Sequence, residues 1–375
     1  MLAELIITAA LVGFAPAVDE LLAPLEAPSP APTVESRPAD GAQGGRGRRA
    51  GASRTFYVAT NGSDAGPCTK ARPCRTLNRG YKRAGPGDVV EVAEGEYPSQ
   101  TIHSKAGAAP PNVVIQRAPG ARVILGDEDA TVECIEFEGA RHVTVKGFKT
   151  PYTRVGGMQH QCGVTIGRSN AHHVVLRNID AGMIWFGADH VRVYGGDFGP
   201  GIDENTKIEF ATGHPPHDIL IDGAVIHHGL SYQQHPECLA LWGGKRITIR
   251  NTLFSNCEVF HLWIAAEEGS TISDILIENN RFTQPNGQID VASTFKVGDK
   301  GGDLENVVIR RNRILVDELY VVQGYGDGGD GDVSIKRNRV HEPIELGSGQ
   351  NCMRDATHRP RPGVVYRCKG NVRVS

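Results

Sequence analysis

The sequence predicts an all-β protein built as a single-stranded parallel β-helix, a solenoid of about ten coils. Three observations predict it. An alternating apolar pattern recurs at steps from 17 residues (Val174 to Val191) to 32 residues (Ile275 to Val307). Glycine is abundant, with 46 in the 375 residues, and aromatic residues make up only 6%. Many glycines suit a fold with many tight turns, and a chain this long fits one solenoid, which adds coils without widening its core.

One strand of each coil begins at an apolar anchor that follows a turn residue. These anchors are Val143, Val174, Val191, Ile219, Ile247, Ile275, Val307 and Val333. The apolar alternation after each anchor is typical of a strand with one buried face. A further apolar residue follows seven positions after five of the anchors: Ile226, Phe254, Phe282, Ile314 and Val340. The step between Val174 and Val191 is the weakest part of this register.

Turn residues recur between these strands. Asparagine follows the anchor strand at Asn178, Asn251, Asn279, Asn280, Asn312 and Asn338. Asparagine tolerates the left-handed backbone that a sharp bend needs, and stacked asparagines can hydrogen-bond along the solenoid. Histidine comes directly before three anchors, at His142, His173 and His190. We expect these histidines to stack as a ladder at the turn.

A second strand precedes each anchor strand. Its first inward residues are predicted to be Ile135, Val164, Ile184, Ile208, Leu239, Phe260, Phe295 and Leu319. The outward column that follows is then Glu136, Thr165, Trp185, Glu209, Ala240, His261, Lys296 and Tyr320. Because neighbouring coils lie about 4.8 Å apart, this column forms a ribbon along the solenoid.

The segment before the first coil carries a family resemblance. It contains YVATNGSD from Tyr57 and PGDVVEVAEGEY from Pro86. Both motifs resemble the N-terminal cap of the pectate-lyase-like right-handed parallel β-helix superfamily. The resemblance implies right-handed coils and a cap with a short helix. The superfamily includes polysaccharide lyases, glycoside hydrolases, uronate epimerases and members without an assigned activity, so the fold is implied more specifically than the reaction.

The chain is predicted to have five segments. Residues 1–17 have an apolar run and a small-residue cleavage site, an atypical signal peptide because no Lys or Arg precedes the run. Residues 18–54 are a Pro, Ala and Gly-rich linker, 55–98 the cap and first coil, 99–343 the β-helix, and 344–375 a C-terminal coil or cap. We therefore expect a secreted, extracellular protein with no membrane span, and a monomer. A net charge of -3 excludes a basic nucleic-acid footprint.

Eight cysteines form an even set, which together with export favours disulfide bonds. Neighbouring coils bring Cys134 near Cys162 and Cys238 near Cys257. The remaining cysteines would close the two ends of the domain, as Cys68–Cys74 in the cap and Cys352–Cys368 at the C-terminus. No CxxC pair is present, so a zinc site has little support.

The three tryptophans, Trp185, Trp242 and Trp263, all fall on the second strand. Exposed tryptophan is unusual, so three on one surface indicate a platform on which sugar rings stack, with Glu209 as a polar partner. The partner predicted from this platform is an extracellular polysaccharide. The alternative is that long loops cover the tryptophans.

The resemblance also suggests a chemistry. Lyases of this superfamily cut uronic-acid polymers by β-elimination, for which calcium or a basic residue neutralises the carboxylate and a base removes the adjacent proton. Lys296 and His261 are the candidate bases, and Tyr320 is a candidate acid. The segment from His235 resembles an H-x-[DE]-x-[IL] element of some β-helix proteins, which adds His235 and Glu237 to the candidate catalytic residues.

Two glutamates give a further alternative. Glu237 and Glu258 are predicted at equivalent positions, two residues before Leu239 and Phe260. They could hold a calcium ion, or act as the carboxylate pair of a glycoside hydrolase. The alternatives from sequence are thus a polysaccharide lyase, a glycoside hydrolase, and a non-catalytic glycan-binding or structural β-helix protein.

Overall fold

The computed structural model describes the chain from residue 53 to 374 with gaps. The described residues are 53–127, 133–155, 158–168, 170–202, 206–209, 215–230, 237–257, 259–284, 293–298, 301–316, 320–324, 329–346, 350–360 and 362–374. Residues Ala52–Ser375 form one compact unit. The predicted signal peptide, 1–17, and nearly all of the predicted linker, 18–54, lie outside the described residues.

The anchor strands form the longest sheet, which we call sheet A. Its thirteen strands are Thr55–Val58, Val89–Val92, Val113–Arg117, Arg141–Lys146, His172–Arg177, Arg192–Tyr194, His217–Asp222, Lys245–Arg250, Thr271–Glu278, Asp303–Arg310, Gly331–Lys336, Val364–Lys369 and, antiparallel at the edge, Ala356–His358. Val143 pairs directly with Val174, and Ile219 pairs with Ile247. All eight predicted anchors are buried, so the anchor pattern is confirmed.

Two further sheets complete each coil. Sheet B has eleven strands: Gln100–His103, Glu133–Glu138, Gly163–Arg168, Ile184–Phe186, Thr206–Ile208, Leu239–Leu241, Phe260–Ile264, Ser293–Val297, Tyr320–Gly324, Glu345–Leu346 and the antiparallel Gln350–Asn351. Sheet C has eight: Asp180–Ala181, Asp197–Phe198, Val225–His227, Leu253–Ser255, Arg281–Thr283, Arg313–Leu315, Arg339–Val340 and Val372–Arg373. Smaller pairs join Gly95–Tyr97 to Val123–Leu125, Tyr152–Val155 to Met158–Gln161, and Gly201–Ile202 to Gly229–Leu230.

The three sheets wind as a right-handed parallel β-helix, which confirms the predicted fold. Parallel crossovers of this kind are almost always right-handed, because twisted strands pack back onto the sheet only that way. The core is a set of columns in which like residues stack. Phe254 and Phe282 of sheet C, for example, lie parallel with ring centroids 4.9 Å apart. Such stacking gives each apolar side chain the same neighbours above and below.

The short step between Val174 and Val191 is a complete coil. Val175 pairs with Arg192, and Leu176 pairs with Val193, in the same parallel sheet as the other anchors. A coil this short is possible because Asp180–Ala181 in sheet C is followed almost at once by Ile184–Phe186 in sheet B. The weakest part of the predicted register is therefore correct.

The cap contains a short helix, Leu77–Arg83, as the resemblance implies. Thr76 begins the helix, and its hydroxyl accepts a hydrogen bond from the Arg79 N–H at 3.1 Å. The Thr76 hydroxyl in turn donates to Asp64 at 2.7 Å. Gly80 lies against the first coil, where a Cβ atom would come within 2.6 Å of Val90. The helix thus closes the N-terminal end of the core. No helix among the described residues, this one included, is long and apolar enough to cross a membrane.

Residues with positive φ stand directly before the anchors of sheet A. They are His142, His173, His190, Asp218, Arg246, Asp274 and Asn306, with φ between 51° and 58°. The His142 and His173 rings lie 4.5 Å apart, and the His173 and His190 rings 4.4 Å apart. The predicted histidine ladder is therefore present. Further along the column the stacking becomes ionic, since the Arg246 guanidinium donates two hydrogen bonds to Asp218.

A buried asparagine ladder runs through the C-terminal coils, at Asn280, Asn312, Asn338 and Asn371. The backbone N–H of Asn280 donates to the Asn312 side-chain oxygen at 2.9 Å, and the same bond joins Asn312 to Asn338. Each side-chain amide also donates to a carbonyl of the preceding coil; that of Asn312 reaches Ile277 at 3.0 Å. The ladder satisfies buried backbone groups at a bend, which confirms the role predicted for asparagine.

All four predicted disulfide bonds are present. They join Cys68 to Cys74, Cys134 to Cys162, Cys238 to Cys257, and Cys352 to Cys368. The middle two link neighbouring coils, and the outer two lie in the cap and the C-terminal segment. Disulfide bonds in this number are typical of proteins in oxidising compartments.

Replacing Asn312 by alanine should destabilise the protein by about 3 kcal/mol or more. The change leaves the Asn280 N–H and the Ile277 carbonyl buried without these partners, and each such group costs about 1–3 kcal/mol. Urea denaturation measures the free energy of unfolding. Arg313→Ala, an exposed neighbour on the same coil, is the matched control and should stay within about 0.5 kcal/mol of the parent. Equal values for the two variants would show that the ladder does not stabilise the solenoid.

Candidate functional site

The residues at the centre of the sheet B strands form one column across the coils. We call it the middle column, and strand pairing defines it as Thr101, Glu136, Thr165, Trp185, Lys207, Ala240, Trp263, Lys296 and Gln323. Glu136, Thr165, Trp185, Ala240 and Lys296 stand where the sequence predicted them. Glu209 and His261 do not, because their strands were placed two residues out of register, and Tyr320 does not, because its strand was placed three residues out of register.

Two residues account for the wrong register. Thr206 is fully buried and pairs with Ile184, so a polar residue begins the inward column of that strand. Leu262, and not Phe260, pairs with Leu239. Phe260 instead packs with Trp263, in a cluster separate from the main core. The outward positions therefore belong to Lys207 and Trp263, and Lys207 is a candidate site residue that the sequence pattern missed.

An aromatic and charged surface results, which we call the tryptophan face: Trp185, Lys207, Glu209, Trp242, Phe260 and Trp263. Trp242 and Trp263, from neighbouring coils, meet edge to face with ring centroids 5.4 Å apart. The Lys207 ammonium lies 4.2 Å from the Trp242 ring centroid. Trp242 is thus packed between a cation on one coil and an indole on the next. The small side chain of Ala240, between Lys207 and Trp263 in the middle column, leaves room for this packing.

The charge on this face is partly balanced. The Lys207 ammonium lies 3.1 Å from a Glu209 carboxylate oxygen on the same strand. Both side chains are about one quarter exposed. A cation beside an indole ring contributes about 0.5–2 kcal/mol, depending on how far it is removed from water. Lys207 is therefore held at the face and remains in contact with solvent.

Exposure differs among the three tryptophans. Trp263 is only 7% exposed. Neighbouring groups therefore cover this tryptophan, as in the alternative to an exposed platform. Trp185 and Trp242 are half-buried. The face therefore presents two partly accessible indoles beside a lysine and a glutamate, on a base formed by Trp263 and Phe260.

His261 does not belong to the face. Its side chain is fully buried, with the ring edge-on to Phe282 at 5.8 Å and Nε2 3.4 Å from the Thr283 carbonyl oxygen. Burial lowers the pKa of His261 to about 4, so the imidazole is neutral at pH 7. The expectation that His261 points outward as a base is wrong. It packs at the junction of sheets B and C.

The predicted pair of glutamates, Glu237 and Glu258, also does not occupy equivalent positions on neighbouring coils. Because Leu239 pairs with Leu262, the position equivalent to Glu237 is Phe260. Glu237 is fully buried beside Cys238. His235 and Glu258 lie outside the described residues. The register therefore removes the argument for Glu237 and Glu258 as a calcium site or a hydrolytic pair.

Two candidates are placed by their backbone alone. Lys296 pairs with Trp263 in the middle column, one coil further along. Tyr320 pairs with Ser293, three residues before Lys296, the position expected for it. Their side chains lie outside the described part of the structure. Lys296 is thus the predicted base whose position on the sheet agrees with the sequence pattern.

No protein-family model matches the chain, and no curated protein sequence matches it. Several solved structures are similar. A Streptococcus pneumoniae surface protein and adhesin, PfbA, is 14% identical with a TM-score of 0.50, over 77% of this chain and 84% of that one. An alginate lyase from Paenibacillus sp. str. FPU-7 is 18% identical with a TM-score of 0.48, over 78% and 97%. The pectate lyase Pel9A is 13% identical with a TM-score of 0.45, over 80% and 72%. At these identities the similarity shows the fold alone.

His261→Gln should reduce the loss of stability in acid. The folded state favours neutral His261, so its contribution is complete above pH 6.5 and is lost as the pH falls toward about 4. Urea denaturation at pH 7 and at pH 5 should give a smaller difference for the variant than for the parent. His341→Gln, which removes a partly exposed histidine, is the control for the substitution itself. An unchanged difference in His261→Gln would contradict the buried neutral imidazole.

Proposed function

We propose that this is a secreted carbohydrate-active protein that binds an acidic extracellular polysaccharide along the tryptophan face and cleaves it by β-elimination. The observation that supports the proposal is the packing of the Lys207 ammonium against Trp242, which itself meets Trp263. Indole rings stack on the C–H faces of sugars, and an ammonium group pairs with a uronate carboxylate. Aromatic and cationic groups on one surface therefore suit a uronic-acid polymer.

The reaction would use Lys296 as base. In β-elimination a neutral amine removes the proton on the carbon next to the uronate carboxyl, and the bond to the leaving glycosidic oxygen then breaks. The products are an unsaturated uronate and a new reducing end, and a proton returns to the leaving oxygen. Lys296 lies three coils from Lys207, about 14 Å at roughly 4.8 Å per coil. The two lysines would thus contact different sugars of one bound chain, Lys207 to position it and Lys296 to react.

A non-catalytic glycan-binding protein is the second candidate. It is favoured by the burial of His261, which removes one predicted base from the face while the aromatic cluster is intact. Binding along a sheet needs only the aromatic and cationic groups. Hydrolysis has less support, because its proposed carboxylates do not occupy equivalent positions.

Secretion and action as a monomer belong to the same proposal. The four disulfide bonds support an oxidising compartment. Of the calcium ligands proposed from sequence, Glu237 is fully buried and is equivalent in register to Phe260, not to Glu258, so we assign no residue to calcium.

Incubation of the protein with uronate-containing polysaccharides should raise both the ultraviolet absorbance of unsaturated uronate and the number of reducing ends. Neutral polysaccharides should give neither, and each reaction is run with calcium and with a chelator. Lys296→Ala should lower the rate by about 100-fold or more, as expected for loss of a general base. Lys82→Ala, at an exposed position on the cap helix, should keep the parent rate.

The outcomes separate the candidates. Reducing ends without the absorbance would mean hydrolysis and would contradict β-elimination. Neither signal, with retained binding, would leave the non-catalytic candidate.

Trp242→Ala should weaken binding of the same polysaccharide by about tenfold or more, equivalent to about 1.4 kcal/mol. The substitution removes the ring that contacts both Lys207 and Trp263. Affinity electrophoresis or calorimetry measures the change. Tyr152→Ala is the matched control, because Tyr152 is 44% exposed and lies off the face. Equal affinities for the two variants would place the binding surface elsewhere.

A further inference from the structure

We propose that the histidines at the corner between sheets B and A, His142, His172 and His173, bind a divalent transition-metal ion. This site is independent of the proposed function, because its residues lie off the tryptophan face. The three histidines come from neighbouring coils. His172 pairs with Arg141, which places His142 beside both His172 and His173.

The geometry of the corner brings the rings together. His142 and His173 have φ of 51° and 55°, a left-handed conformation that the turn imposes at this position of the coil. One ligand nitrogen from each of the three histidines lies within 4.8 Å of the others. A tetrahedral zinc ion with bonds of 2.0–2.1 Å needs nitrogens roughly 3.4 Å apart. Small rotations of the half-buried rings would reach that spacing.

Two of the nitrogens already compete for one proton. Nδ1 of His172 and Nδ1 of His173 face each other at 2.7 Å. One of them must donate a hydrogen to the other's lone pair, since two bare nitrogens would repel. When that hydrogen moves to Nε2 of the same ring, the imidazole stays neutral and a metal ion can take both Nδ1 lone pairs. The arrangement therefore directs two donor atoms to one point, with His142 beside them.

The rings are in the protonation state that ligands need. Burial and, after it, the charges of the neighbouring histidines lower the pKa of His173 to about 4. The pKa values of His172 and His142 are also lowered, by burial and then by the Arg141 charge. Neutral imidazoles bind metal through a free lone pair. All three rings are half-buried, which leaves room for water to complete the coordination.

The ligand chemistry selects the kind of ion. Imidazole nitrogen suits zinc, copper and nickel, with copper(II) bound most tightly among common divalent ions. Calcium and magnesium prefer oxygen ligands, and this group offers none. The ion we infer is therefore copper(II) or zinc, in a three-nitrogen site with an open position.

A neighbouring group is less suited to the same role. His190, His217 and Asp218 also lie close together. Arg246, however, donates two hydrogen bonds to Asp218, and His217 lies 3.3 Å from Asp189. Its donor atoms are thus engaged in ion pairs, and a metal would have to displace Arg246. We therefore place the ion on the first group.

Calorimetric titration of the untagged full chain with copper(II), zinc and calcium salts tests the site. One equivalent of copper(II) or zinc should bind in the micromolar range or tighter, and calcium should not compete. With copper(II), electron paramagnetic resonance should show coupling to nitrogen nuclei. His173→Asn and His142→Asn should each weaken binding by about tenfold or more.

Asparagine is the matched replacement, because Asn306 occupies the same turn column with φ of 51°. Circular dichroism and the thermal midpoint without metal check that the variants fold. His190→Asn is the control and should bind as the parent does. Unchanged affinity in both His173→Asn and His142→Asn would overturn the site. Loss of binding only in His190→Asn would move the ion to the second group and equally overturn the assignment.

Discussion

The constraint on which the structure depends is the common spacing of the coils, set by parallel backbone hydrogen bonds in all three sheets. Once strands are held at one separation, like positions on successive coils must stack. Inward residues then form continuous columns of apolar side chains, and outward residues form ribbons. The histidine ladder, the asparagine ladder and the tryptophan face all follow from the same translation of one coil onto the next. The packing of a residue therefore depends on the residues above and below it in the same column.

Sheet A could be predicted almost completely from the sequence. Its strands alternate strictly, and each is bounded by turn residues at a fixed distance from the anchor, so two independent signals give the same register. The bends reinforce this, because most non-glycine residues with a left-handed backbone are Asn, Asp or His, with Arg246 among the exceptions. The disulfide bonds followed from that register, since a bond between Cys134 and Cys162 is possible only if their coils are adjacent. Even the 17-residue coil obeyed the pattern.

Sheet B was harder to predict, and the errors fell where the candidate site lies. Apolar alternation shows which residues share a face but not which residue of the strand pairs with a given residue of the next coil. At Thr206 a polar residue is inside, and at Phe260 an apolar residue is outside, so the alternation misled by one full period. Because of that shift, Glu209 and His261 were predicted at the places in the middle column that Lys207 and Trp263 occupy. Exposure was a separate problem, because burial of Trp263 depends on how Phe260 and Trp242 pack against it, which apolar alternation does not specify.

The ends of the solenoid have a consequence for its length. At the C-terminal end, sheet A finishes with Ala356–His358 running antiparallel to Val364–Lys369, and sheet B finishes with a second reversed strand, Gln350–Asn351. An incoming parallel coil would meet hydrogen-bonding groups spaced for the opposite direction. The cap helix closes the other end. Reversing a strand thus terminates a repeat that could otherwise continue from molecule to molecule, and separates a protein of defined size from a fibre.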